Sequence, residues 1–137
     1  MRFRSLLSTL LVAAVGLALA GHTAASPQGA TLVIPRLGLN TRLAPSLNAG
    51  PYAYYQDDDT LAIAGHRTTY ARPFSQLPLL RRGDKIRVDG APFVVRRTAV
   101  VRPWETWILR FRGLVLSACH PAGSAAYRYV VFAAPQE

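Results

Sequence analysis

Cysteine is almost missing from this 137-residue chain: Cys119 is the only one. A lone cysteine rules out an internal disulfide and any multi-thiolate metal site. It leaves three states: a buried inert thiol, an intermolecular pair, or a reactive thiol. Lysine is as scarce, with Lys85 alone among 16 basic residues, and the 7 acids leave a net charge of +9. Setting aside Arg2 and Arg4 near the start, cations still outnumber acids two to one. Such a surface suits anionic surroundings and serves solubility. No basic run is interleaved with aromatics as in a single-strand binder, so no nucleic-acid partner is expected. There is no Gly-rich strand-to-helix turn for phosphate and no alternating βα pattern, which disfavours nucleotide-binding folds. The histidines and Cys119 lack ligand spacing, and Asp57-Asp58-Asp59 reads as a solvated turn. No metal and no cofactor is expected.

What is present begins with a targeting segment. Arg2 and Arg4 precede an apolar run from Leu6 to Ala20, ending in the small-x-small pattern Ala18-Leu19-Ala20. The run falls somewhat short of the ~20 residues of a full span. Residues 1–20 are therefore a cleaved signal peptide or an anchor in the cytoplasmic membrane, and the chain is expected at the extracytoplasmic face of the cell envelope. Residues 21–30, rich in Gly, Ala, Ser, Thr and Pro, read as a linker. Residues 31–137 are enough for one domain with one core.

Within that domain, short β-like runs are divided by Pro, Gly and Asp. They are Thr31–Ile34, Thr60–Ala64, Lys85–Val88, Phe93–Val101, Thr106–Phe111, Leu114–Ala118 and Tyr127–Ala133. Asp89-Gly90 marks a tight hairpin. Pro73 to Leu80 suits a short helical turn, with Phe74, Leu77 and Leu80 repeating at three. The pattern is an all-β sandwich or barrel.

A thiol nucleophile needs a cation or imidazole that favours its thiolate, and a donor for the oxyanion it creates. His22 lies in the linker. His120 follows Cys119 directly, and neighbours on a strand face opposite ways. His66 stands just past a clear strand, after Gly65, which frees the backbone to present the ring. Arg128 opens the last strand, and a hairpin-like pairing with the Cys119 strand brings it beside the thiol. Thr68, Thr69 and Tyr70 follow His66 and are candidates to line a groove.

Four stretches together resemble the sortase family: Ile34-Pro35-Arg36-Leu37-Gly38-Leu39, Ala64-Gly65-His66-Arg67-Thr68-Thr69-Tyr70, Leu116-Ser117-Ala118-Cys119, and Arg128 nine residues on. His-Arg-Thr-Thr-Tyr with Cys-His-Pro is most similar to class E sortases of high-GC Gram-positive bacteria. The resemblance implies a closed eight-stranded sortase β-barrel with one or two short helices. It implies a cysteine transpeptidase that cuts a Leu-Pro-x-Thr-Gly or Leu-Ala-x-Thr-Gly sorting signal and passes the protein to an amine. Its partners would be sorting-signal-bearing surface proteins and a peptidoglycan-precursor or pilin amine. Cys119 would be the nucleophile, His66 the proton carrier and Arg128 the oxyanion and substrate donor. Ser117, Ala118, Thr68, Thr69, Tyr70 and His120 would flank the substrate. Ala118 and Val115 replace the family's usual threonines, and Ala cannot offer a hydroxyl. Two other readings compete. An L,D-transpeptidase would carry His-Gly before its cysteine and Arg two after, where Ser117-Ala118 and Pro121 stand here. An inert sortase-fold binding module would have an unreactive Cys119.

Overall fold

A computed structural model describes residues 27–137; the apolar segment read as signal or anchor lies outside them. Eight strands form one sheet: β1 (Thr31–Ile34), β2 (Leu39–Arg42), β3 (Tyr52–Gln56), β4 (Thr60–Ala64), β5 (Lys85–Val88), β6 (Ala91–Val101), β7 (Gly113–His120) and β8 (Tyr127–Pro135). Their order is β2-β1-β5-β6-β8-β7-β4-β3. Only β4 and β7 run parallel; the other neighbours are antiparallel.

Local chemistry sets the corners. Asp89 and Gly90 both take positive φ, 50° and 82°, as a two-residue hairpin requires. The expected acidic turn is an Asx turn: Asp57 Oδ1 accepts from the Asp59 and Thr60 amides at 2.9 and 2.7 Å. Tyr55 donates its hydroxyl to Asp57 Oδ2 at 2.6 Å. Pro27–Ala30, within the stretch read as linker, is tied to the sheet by Gly29 N–H to Leu43 O and Leu43 N–H to Ala30 O.

Alternation along the strands sorts side chains into two layers. Inside the curl lie Leu32, Ile34, Ile63, Ile86, Leu116 and Val131, with Phe74 and Leu77 plugging the interior. Burying Phe74 completely contributes about 1.5–3 kcal/mol. Outside, Ala62, Val115, Val130 and Phe132 are covered by Ile108 and Phe111.

Two expectations need correction, the closure of the barrel and the strand over Thr106–Phe111. The barrel is not closed: β2 and β3 are edges with no ladder between them, and the loop that connects them is drawn together by Ala44 N–H to Pro51 O at 2.7 Å. Among the described residues the expected short helices are 3-10 turns, at Pro35–Leu37, Leu77–Leu79 and Trp107–Arg110. The last replaces the strand expected over Thr106–Phe111. Ile108 and Phe111, three apart, lie on one side of such a turn and cap the outer layer, which an extended segment would not do. Strands β2 and β3 had not been expected.

Candidate active site

The site forms where the parallel pair β4–β7 ends. On β7, Leu116 and Ala118 face the interior, whereas Val115 and Ser117 face out. Alternation places half-buried Cys119 on the outer side with Ser117. Cys119 lies opposite Arg128 in the β7–β8 register.

His66 arrives from β4. Ala64 pairs with Ser117, and Gly65 extends the contact by donating its N–H to Ser117 O at 3.1 Å. The His66 carbonyl accepts from Phe74 N–H at 3.0 Å. Gly65 is required for close approach: a Cβ there would sit 2.6 Å from the Phe74 ring. The imidazole Nε2 meets Asn48 Oδ1 at 2.9 Å, and the Tyr70 ring stands 5.1 Å away. Asn48 Oδ1 only accepts, so Nε2 carries a proton.

Two hollows adjoin at the end of β7. A cleft of about 180 Å³ is lined by Cys119, His66, Arg67, Thr68 and Thr69. A longer, mainly apolar groove of about 340 Å³ is lined by Ser117, Arg128, Tyr54, Leu47 and the segment around Ile108. Arg128 Nη1 donates to the carbonyls of Ala125 and Tyr127, each at 3.0 Å. Burial pushes the Tyr54 hydroxyl above its ordinary pKa, against the lowering effects of a Ser117 hydrogen bond and the Arg128 charge. Tyr54 is thus a neutral phenol on the groove wall at physiological pH.

The structure brings together Cys119, His66, Thr68 and Thr69 in one cleft, and Ser117 with Arg128 in the adjoining groove. Tyr70 rests against His66 rather than lining either hollow. Two further residues expected to flank the substrate also line neither hollow. Ala118 is packed in the interior at 3% exposure, on the opposite side of β7 from Ser117. His120 also faces away and lines neither hollow; its ring sits 5.6 Å from Tyr129, and its Nδ1 meets Arg67 Nη1 at 3.1 Å. Asn48, Tyr54 and Arg67 were not singled out from sequence. The alternating aromatics Tyr52 and Tyr54 after Pro51 were the one available strand signal.

A sortase-domain family model matches residues 28–136, and the chain belongs to the sortase family. Within that family it is similar to class E. Sortase E from Streptomyces avermitilis, a T196V mutant, is 26% identical with a TM-score of 0.67, covering 83% of this chain and 91% of that one. Sortase E1 from Streptomyces coelicolor, solved with a tripeptide in its active site, is 24% identical with a TM-score of 0.71, covering 82% and 91%. Sortase C-1 from Actinomyces oris shares the fold at 21% identity and a TM-score of 0.73, over 89% of this chain and 80% of that one. No curated protein matches the sequence.

Proposed function

We propose that this sortase is an active cysteine transpeptidase of the cell envelope, with Cys119, His66 and Arg128 as its working residues. The observation that carries the reading is that Cys119 shares one cleft with His66 and stands opposite Arg128 in the β7–β8 register. The Cys119 thiolate attacks the Thr carbonyl of a Leu-Pro-x-Thr-Gly or Leu-Ala-x-Thr-Gly signal lying in the groove. Arg128 swings from the loop carbonyls to the developing oxyanion. The C–N bond breaks, His66 gives its proton to the departing Gly amine, and a thioester remains on Cys119. An incoming amine of a peptidoglycan precursor or pilin then attacks. His66 takes its proton, and the new amide forms as the thiolate leaves.

Ser117, Thr68 and Thr69 would hold the peptide backbone. The position of Ala118 supports activity: a side chain inside the core has no direct contact with the groove. Residues 1–20 would export the domain or hold it at the membrane, beside surface proteins not yet released from it. The test is intact-mass spectrometry of the purified protein with Leu-Pro-Ala-Thr-Gly and Leu-Ala-Ala-Thr-Gly peptides, with and without triglycine. The expected results are a thioacyl adduct on Cys119 and an amine-dependent ligated product, both lost in Cys119→Ala. No adduct with either peptide, and alkylation of Cys119 at the rate of a free thiol, would leave an inert binding module.

A further inference from the structure

Arg67 follows His66 directly, yet its side chain reaches back across the parallel pair to the other strand. Its Nη1 lies 3.2 Å from the Cys119 carbonyl oxygen and 3.1 Å from His120 Nδ1. One nitrogen therefore bonds the backbone of the thiol residue and the ring of the next residue. Arg67 has no acceptor atom, so the second contact needs the Nδ1 lone pair. Neutral His120 must then carry its proton on Nε2. The side chain is part-buried, and its Nε is buried with no hydrogen-bond partner among the described residues. A buried donor left over in this way is unfavourable, and an apolar chain of similar shape would avoid it.

We infer that Arg67 is a positioning residue: it bridges the exit of β4 to the end of β7, fixing how far His66 stands from Cys119 and locking His120 as its Nε2–H tautomer. Three observations make it a link between the two strands. The residue before it is His66, whose carbonyl is already pinned by Phe74 N–H. One of its acceptors is the peptide carbonyl of Cys119 itself. The parallel ladder has ended at Ala64–Ser117, so beyond Gly65 this bridge replaces backbone pairing between the strands. Without it, the exit of β4 and the end of β7 would not be joined to each other beyond Gly65, and an error of about 1 Å in approach costs on the order of 10²-fold in rate.

The proposal rests on the transpeptidase reading for its kinetic arm and is independent of it in its spectroscopic arm. Arg67→Met keeps the stem and removes the donors. The expected result is a kcat for peptide cleavage about 10²-fold lower. KM should change far less than kcat, because the Arg67 nitrogen that makes the bridge is turned to the Cys119 carbonyl and His120, although the residue also lines the thiol cleft. The melting temperature should stay within about 5 °C of the starting protein. Arg67→Lys again puts several donors on one nitrogen and should recover part of the loss. In the spectroscopic arm, long-range ¹H–¹⁵N correlation of ¹⁵N-histidine-labelled protein at pH 7.5 should show His120 as the Nε2–H tautomer. In Arg67→Met it should show a mixture of tautomers. A proton on His120 Nδ1 in the starting protein would overturn the inference. So would an Arg67→Met variant with undiminished kcat, or one whose activity and melting temperature fall together. If no peptide is turned over at all, the transpeptidase reading fails and the tautomer alone decides whether the bridge exists.

Discussion

His66 owes its place to a residue with no side chain. Gly65 lets the Phe74 ring press against the backbone, and Phe74 in turn closes the interior and donates its N–H to the His66 carbonyl. Gly65→Ala forces either the ring or the β4 end to move. The expected loss is about 2 kcal/mol of stability, by overpacking. Activity should fall further than that loss of folded protein accounts for. Urea denaturation and peptide turnover on the same samples check both. At this scale the sequence was informative where chemistry is written in residue type. A lone cysteine, a histidine behind a glycine and an arginine on the next strand could all be picked out. It was uninformative for Asn48, Tyr54 and Arg67. An asparagine in a loop, a tyrosine on a strand and one arginine among many gain meaning only from the partner they meet. Those partners are His66, Ser117 and the Cys119 carbonyl, and in sequence they lie 18, 63 and 52 residues away.

Among the elements, the segment after His66 is the unusual one. Tyr70, Ala71 and Arg72 all take positive φ, at 48°, 64° and 49°. Left-handed backbone costs a residue with a Cβ roughly 1–2 kcal/mol, and here three do so in succession before Phe74 enters the core. Ala71 is exposed, so Ala71→Gly should relieve strain at little cost in contacts. After allowing for the greater entropy glycine loses on folding, the expected gain is about 0.5–1 kcal/mol, read as a higher melting temperature by calorimetry. Strands were legible where a β-branched run was cut off by Pro, Gly or Asp, as for Thr31–Ile34 and Lys85–Val88. Leu39–Arg42 is too short, with two polar residues in four, to declare itself. Thr106–Phe111 has the composition of a strand, but its Ile108 and Phe111 are used at a spacing of three.

For the molecule as a whole, an excess of cations makes the few carboxylates matter. Asp84 is buried enough to raise its pKa, yet the Arg36 hydrogen bond, the Arg81 amide and both arginine charges outweigh that and hold it below its ordinary value. Asp57 is lowered by the Tyr55 hydroxyl and by the amides of Asp59 and Thr60. Both groups have folded values below their unfolded ones. The stability they contribute is therefore complete above the unfolded range near pH 4, and drains away as pH falls through the lower folded values. Melting temperature should fall steeply below about pH 4, and Asp84→Asn should show a shallower acid-side slope with a lower value at pH 7. The all-β architecture was legible from spacing alone. That the sheet curls without closing was not, because closure depends on whether β2 and β3 pair, and neither strand had been recognised.

The order of the strands has one more consequence. Of the eight strands, Tyr127–Pro135 is the last to be made, yet it lies between β6 and β7 and, among the described residues, is the sole ladder joining β2-β1-β5-β6 to β7-β4-β3. Until it slots in, no strand ladder joins the two half-sheets, and the arginine opposite the thiol is missing. A chain whose eighth strand is not yet in place would thus be unable to react with whatever it meets, its chemistry armed by arrival of that strand.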